Sequence, residues 1–392
     1  MTELARKPGN AIFRTVGTPA AQAARGADPR AAIVPVTQTQ DPALVAAWRA
    51  LATRASEPNP FFEPWFLLPS LRHLAEPDEC ALLTVWEGDA LIGLMPIAQR
   101  GDYYGYRIAH IASWLHDNAF CGVPLVAKHG EQAFWQCVLD HCDRHAGTAL
   151  FLHLAELPAD GPVARALDAV TRERSCAAVT VDRGERAMLA SPASPDAYWQ
   201  GAMSAKNRKE LRRQKKRLGE CGTLSFERCE DATDPAEWAR EFVALEAAGW
   251  KGEARSALAS RTATCDFFTE TLEGAAKAGR LERLALRLDG KPVAMLANFL
   301  TPPGAYSFKT AYDEAYARYS PGLLLQIENL DLLERDGIAW TDSCARPGHT
   351  MIERLWREKR VIEARNIAIG GRVRRALFAG LSAWENRKGR RA

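Results

Sequence analysis

The sequence predicts an α/β chain built from two copies of one module, each a mixed, mostly antiparallel sheet flanked by helices. Three observations lead there. The 392 residues exceed what one ordinary core accommodates. Two strand–turn–strand signals recur, one around Gly88 and one around Gly290. In each half, helices precede that hairpin, and a helix and a further strand follow it.

In the first half, Ala32-Ile33-Val34-Pro35-Val36 reads as a strand. Helices follow over about 41–55 and 64–74, the latter with Trp65 and Leu68 on one face. Leu82–Trp86, a turn at Glu87-Gly88-Asp89, and Leu91–Ile97 form the hairpin. Strands at 105–114 and 121–126, a helix at 130–145 and a strand at 149–152 come next. A helix near 161–173 and a strand near 176–182 close this half.

The second half opens with the strand Thr223–Glu227. Asp234-Pro235-Ala236-Glu237 is a helix start with a capping carboxylate, Pro at the first position and Glu at the third. Trp238, Phe242 and Leu245 then share one helical face. A helix over about 265–278 leads to Leu284, Leu286 and Leu288, which alternate as a half-buried strand does. Asp289-Gly290 turns the chain into Val293–Phe299, apolar on both faces and therefore expected to be central. The expected division is a flexible lead at 1–30, a first module at 31–195, a basic linker helix at 196–222, a second module at 223–370 and a basic amphipathic tail at 371–392.

Composition is that of a globular protein, 47% hydrophobic and 25% charged, with a net charge of +3. Nine cysteines include no CxxC pair, which favours reduced thiols over a disulfide framework. Cys137 and Cys142 stand near His141 and His145, but helical burial is the better account than zinc, and no metal is expected. No run approaches the ~20 apolar residues of a membrane span. The first 30 residues lack the apolar stretch of a signal peptide. The expected location is cytoplasmic, with peripheral contact at the inner membrane face left open.

The most informative stretch is Tyr306–Asp313 followed by Arg318–Leu325, an aromatic strand that reaches a short loop and opens a helix. Ser320 suits a cap and Pro321 the first helical position, so the N–H groups of Gly322 and Leu323 are expected at the positive end of the helix dipole. That geometry suits a phosphate; a capped helix start without ligand fits equally. Gly249-Trp250-Lys251-Gly252 ends the helix begun at Asp234, with Trp250 and Lys251 facing a cleft, or as a C-cap with Trp250 folded onto the core. Ile338–Cys344 reads as a strand, then Ala345–His349 as a loop before a helix carrying Met351, Leu355 and Trp356. This puts Asp342 and His349 at a strand end, where α/β proteins place chemistry. The alternative is a loop-capping His349 and an Asp342 paired with arginine.

Eight cations crowd residues 205–218, opposed only by Glu210. Most must face water or a polyanion, whether nucleic acid, an anionic membrane, an acidic glycan or phosphates. Val373, Leu377, Leu381 and Trp384 recur at helical spacing among arginines, giving a basic amphipathic helix that docks on the protein or lies on an anionic surface.

At Lys206–Leu218, Gly249–Gly252, Phe308–Asp313, Tyr319–Leu324, Asp342 and Arg354–Arg357 the chain resembles the CelD/BcsL-like group of the GNAT acyltransferase superfamily, related to FemAB-type transferases. The resemblance is strongest over about 198–370. It implies tandem GNAT-like domains and acyl transfer from acyl-CoA, acetyl-CoA included, to an amine or hydroxyl of a small molecule or glycan. Some members are linked to cellulose or exopolysaccharide production. The superfamily's phosphate loop is only partly matched, because Arg318–Leu323 holds one suitable glycine, shifted by one place. Two alternatives therefore stand beside acyl-CoA: an aminoacyl-tRNA donor, and a non-catalytic module that binds nucleic acid or another polyanion. The expected roles are His349 as general base, Asp342 as its partner or as a carboxylate orienting the acceptor, and Tyr312 and Asp313 as cleft neighbours. Lys309, Arg318, Ser320, Gly322 and Leu323 are expected on the donor, and Trp250 and Lys251 on the acceptor. Lys206–Arg217 and the C-terminal tail are expected at an anionic surface.

Overall fold

A computed structural model describes residues 28–229, 234–249 and 258–389, with side chains through Glu385. It divides into two compact units. Through Pro64, over Ala75–Arg183, and from Ile362 onward the chain forms what we term the N-unit; Trp65–Leu74 and Gly184–Val361 form the C-unit. The units are thus interleaved in sequence, where contiguous blocks at 31–195 and 223–370 were expected.

The chain begins with β1 (Arg30–Pro35) and α1 (Pro42–Thr53). The Asp41 carboxylate accepts the N–H groups of Ala43 and Leu44 at 2.9 and 3.0 Å and starts α1. Then come α2 (Pro64–His73), the hairpin β2 (Cys80–Glu87) and β3 (Ala90–Arg100), β4 (His110–Ser113), β5 (Leu125–Val126) and α3 (Glu131–Arg144). β6 (Phe151–Pro158), α4 (Pro162–Glu173) and β7 (Ala178–Leu189) complete the first half. The expected linker helix is two helices, α5 (Pro195–Ala202) and α6 (Ala205–Gly219), with Ser204 capping the second.

The second half runs β8 (Leu224–Cys229), α7 (Pro235–Ala247), α8 (Thr262–Lys277), β9 (Leu281–Leu288), β10 (Lys291–Thr301) and β11 (Gly304–Tyr312). It continues through α9 (Pro321–Glu328), β12 (Trp340–Asp342), α10 (Thr350–Glu353), β13 (Glu358–Ala368) and α11 (Arg372–Gly389). The Asp234 carboxylate accepts the Glu237 N–H at 3.0 Å, the capping that the sequence predicts. α10 is a single turn, shorter than expected; Leu355 and Trp356 lie beyond it and are fully buried.

Strand order explains the interleaving. In the N-unit it is β1-β2-β3-β4-β6-β13, with β5 on β3. In the C-unit it is β8-β9-β10-β11-β12-β7. Each sheet takes a strand from the other half of the sequence: β13 pairs with β6, and the end of β7 pairs with β12. Each unit holds one parallel pair, β4–β6 and β11–β12, among antiparallel neighbours. The N-unit core includes Trp48, Phe134, Trp135 and Phe151, all fully buried. In the C-unit Phe66, Phe299 and Phe308 meet at 4.5–6.0 Å between centroids, with Phe267 on Phe66 at 5.3 Å. Each such side chain contributes about 1.5–3 kcal/mol by leaving water.

Candidate active site

The parallel pair of the C-unit is short. Gly304, Ala305 and Tyr306 face Trp340, Thr341 and Asp342, and β12 then ends while β11 runs on to Tyr312. A bulge bends β11 at the parting. Ser307 faces Asn298 and Lys309 faces Ala297, which leaves Phe308 as an extra residue. Cys344, at φ 53, turns the chain away from the end of β12. Beyond Tyr306, β11 has no ladder partner on this side among the described residues. The two strands thus stop pairing beyond Tyr306 and Asp342, and we call the place where they part the slot.

The bulge also sorts the side chains. Ser307, Thr310 and Tyr312 share the face that carries α9, where the Thr310 hydroxyl accepts from Gln326 at 3.3 Å. Lys309 stands on the other face with Ala297 and Phe299, its ammonium 5.5 Å from the Phe308 ring. It is therefore placed away from α9, not beside the helix start where a donor phosphate was expected.

α9 begins at the mouth of the slot. Ser320 adopts φ 54, ψ 49, and its side chain makes no cap bond, contrary to the sequence expectation. A left-handed residue directs the hydroxyl away from the first turn. Pro321 has no N–H, and the N–H groups of Gly322 and Leu323 find no acceptor among the described residues. A Cβ on Gly322 would lie 3.2 Å from both Met351 Sδ and Tyr312 Cδ1. Glycine thus lets the helix start, the end of β11 and the segment before α10 approach closely. Arg318 is exposed, its guanidinium 4.7 Å from the Tyr319 ring, one turn before the helix.

A buried polar network holds this wall. Glu282 is fully buried and accepts from Arg228 at 2.9 Å, Arg335 at 3.4 Å and Asn298 at 2.7 Å. Asn298 also donates to Asn329 at 2.7 Å, and Asn329 to Gln326 at 3.3 Å. Among the described residues, Asn298 Oδ1 and Ser307 Oγ on the bulged face have no partner. Ser307 is 4% exposed, so its hydroxyl gives up water and gains no protein bond in return.

Asp342 is fully buried. Arg186 and Arg360 meet its two oxygens at 3.4 and 3.3 Å, and the Cys344 N–H donates to it at 2.8 Å. The pairing with His349 expected from the sequence does not form. Two guanidiniums and an amide already occupy the carboxylate, and Arg360 is fixed 4.4 Å from the Trp340 ring. His349 is exposed at the start of α10 without a side-chain cap bond. Its charged neighbour is Glu353, whose carboxyl is held below its usual range by the Gly348 N–H, then by Lys359 and by His349. The segment carrying His349 borders the helix start through Met351. Asp313 accepts the Ala315 N–H at 2.9 Å and starts the 3-10 turn Glu314–Tyr319. Glu314 Oε1 lies 3.1 Å from a Cβ placed on Gly249, so the end of α7 reaches this edge too. Trp250 and Lys251 lie outside the described residues.

The structure thus assembles Tyr312, Asp313, Gly322 and Leu323 at one mouth, with His349 on the bordering segment. Ser307 and the bulge at Phe308 were not anticipated; the sequence of the strand carries no evident signal for either.

Residues 205–361 match the acetyltransferase (GNAT) domain family. The matched residues lie within the C-unit. FemX superposes with a TM-score of 0.56 at 10% identity, covering 83% of this chain and 96% of FemX. The C-terminal DUF2156 domain of a putative lysylphosphatidylglycerol synthetase from Agrobacterium fabrum superposes with a TM-score of 0.50 at 14% identity, covering 86% and 95%. No curated protein matches the sequence.

Proposed function

We propose that the C-unit is an acyltransferase that binds one acyl-CoA in the slot between β11 and β12. The observation that carries this reading is the uncapped N–H groups of Gly322 and Leu323 beside the point where the β11–β12 ladder ends. The edge suits the amides of a pantetheine arm, and the helix start suits the phosphates. Arg318 adds a cation one turn before it. The acceptor amine or hydroxyl attacks the thioester carbonyl, the carbon–sulfur bond breaks, and CoA leaves as thiolate. His349 takes the acceptor proton without Asp342 as its partner, and Asp342 acts as a strut fixing the end of β12. Holding the two reactants side by side lowers the barrier by making the step effectively unimolecular. The resemblance to CelD/BcsL-like proteins favours a glycan or small-molecule acceptor in polysaccharide or envelope metabolism.

One feature favours a second donor class, aminoacyl-tRNA. Lys206, Lys209, Arg212 and Lys216 are exposed on α6 without a carboxylate partner among the described residues, Arg217 is exposed within electrostatic reach of Glu210, and Leu211 and Leu218 are buried on its seam. Titration calorimetry with acetyl-CoA and longer acyl-CoAs separates the readings. Saturable heat at one site per chain supports acyl-CoA. No heat with any of them, together with aminoacyl-tRNA binding and transfer, replaces it by the second donor. Strongly salt-dependent nucleic-acid binding with no transfer leaves a polyanion module. With the donor established, His349→Ala is expected to lower turnover roughly 10²–10⁴-fold with donor affinity unchanged. A loss below tenfold returns His349 to a structural role.

A further inference from the structure

We propose that the N-unit docks on an anionic lipid bilayer through the outer face of α11 and the Tyr104–Gly105 turn. This stands independently of the acyl-transfer reading. Among the described residues, the exposed large hydrophobic side chains are Tyr104 at 68%, Tyr106 at 44%, Val373 at 76%, Leu377 at 61% and Trp384 at 39%. All five lie in the N-unit. Val373, Leu377 and Trp384 recur at helical spacing, so they form one stripe on α11.

The opposite face of the helix is occupied. Phe378 is fully buried, 5.8 Å from Phe151, and Ser382 is buried. The Gly370 N–H donates to Asp143 at 2.7 Å, and Arg375 reaches the same carboxylate at 3.2 Å. The helix is therefore fastened to its unit, with an apolar stripe left bare.

The tyrosines extend that stripe. Tyr103 and Tyr106 exchange backbone bonds of 2.8 and 3.0 Å around Tyr104 and Gly105, at φ 49 and 83. This tight turn holds Tyr104 at its tip in a backbone region that non-glycine residues seldom occupy. Tyr106 meets Trp384 edge-on at 5.2 Å, which joins the turn to the helix.

Trp and Tyr at the rim with Val and Leu in the stripe match the depth profile of a bilayer interface. Charge selects the lipid. Arg107 and Arg372 are exposed with no carboxylate partner among the described residues, and the sequence continues with Arg387, Lys388, Arg390 and Arg391. Among the described residues the carboxylates beside the turn are Asp102, Asp182 and Glu385; over 371–392 the sequence itself carries seven cations against one carboxylate. A second copy laid across the stripe would bring the same cations together, whereas anionic headgroups neutralise them.

Flotation of the full chain with phosphatidylcholine vesicles, with and without phosphatidylglycerol, tests the proposal. Binding is expected on the anionic vesicles, weakened by salt and reduced roughly tenfold or more in Val373→Ser/Leu377→Ser. Those side chains point to solvent, so the unfolding midpoint should hold; Tyr104→Ser, in the turn, provides a second variant if the helix is disturbed. Failure to float overturns the proposal, as does flotation that neither variant weakens. A dimer seen by sedimentation that the same variants dissolve, without vesicle binding, assigns the stripe to a second copy.

Discussion

The two units contain the same parallel pair, and the pairs end differently. In the N-unit β4 stops at Ser113 while β6 continues to Pro158. The chain itself fills the opening. The Gly122 N–H donates to Glu156 O at 2.8 Å, and the Ala155 N–H to Ser113 Oγ at 3.2 Å. Asn59, fully buried, bonds the carbonyls of Cys121 and Val123 at 3.1 and 2.7 Å and fixes the inserted segment. In the C-unit the long strand is the other member, β11, and beyond Tyr306 it has no ladder partner on this side among the described residues. The same pair is thus closed by an inserted segment in one unit and by no described ladder in the other. A polar edge near the core is expected to find a partner, so the C-unit is the place to look for a ligand, and one donor per chain is expected instead of two.

The largest expected effect tests whether Asp342 is a strut at the end of the open pair. Asp342→Ala removes the buried carboxylate that Arg186 and Arg360 share. The expected destabilisation is about 3–5 kcal/mol, read from denaturant unfolding. Asp342→Asn keeps the shape and should cost less. Full stability of the alanine variant with lost turnover would restore Asp342 to the chemistry.

Next comes the closed pair. A Cβ at Gly122 would sit 2.0 Å from Ala155 O, a backbone atom that cannot swing aside. Gly122→Ala should therefore destabilise by about 1–3 kcal/mol or more through overpacking. Donor affinity per folded molecule should stay unchanged. A second, weaker CoA site appearing in this variant would show that the inserted segment masks a working slot.

How much of this was legible in the sequence follows from which interactions are local. The hairpins at Gly88 and Gly290 and the helix starts at Asp41 and Asp234 were readable or nearly so, because turn and cap chemistry involves neighbouring residues. β13 was missed. Its first residues, Glu358, Lys359 and Arg360, look solvent-facing, yet from Ile362 to Ala368 every position is buried. That burial comes from pairing with β6, some two hundred residues away in sequence, and the interleaving of the units follows from it. The Asp342 partners were equally hidden, since Arg186 and Arg360 come from β7 and β13. The loop Arg318–Leu323 was read as a helix start and is one, but the absent Ser320 cap depends on a left-handed backbone that sequence spacing does not reveal.

A smaller effect probes the open mouth directly. Gly322→Val places a branched side chain between Tyr312 and Met351, whose near atoms are already 3.2 Å from a Cβ there. Met351 is flexible and can yield, so the melting temperature should change little. The donor phosphates would lose their approach to the helix start, with an expected rise in donor Kd of roughly tenfold or more. Unaltered calorimetric affinity would move the phosphate site away from α9.

The smallest effect concerns Ser307. Its hydroxyl is buried beside Asn298 Oδ1 without a partner, so in the unliganded protein it brings a desolvation cost and no compensating bond. Ser307→Ala should therefore be neutral or stabilising, by up to about 1 kcal/mol, in thermal unfolding of the free protein. If the slot receives a donor whose amides run along β11, the hydroxyl gains its partner on binding. The same variant should then weaken acyl-CoA by a few-fold, about 0.5–1.5 kcal/mol, and the stabilisation should vanish in saturating donor. The opposite signs in the free and bound protein are the informative outcome. A loss of stability without any change in donor affinity would make Ser307 an ordinary structural hydroxyl, and the contrast between the open and closed pairs would then rest on Gly322 and the uncapped helix alone.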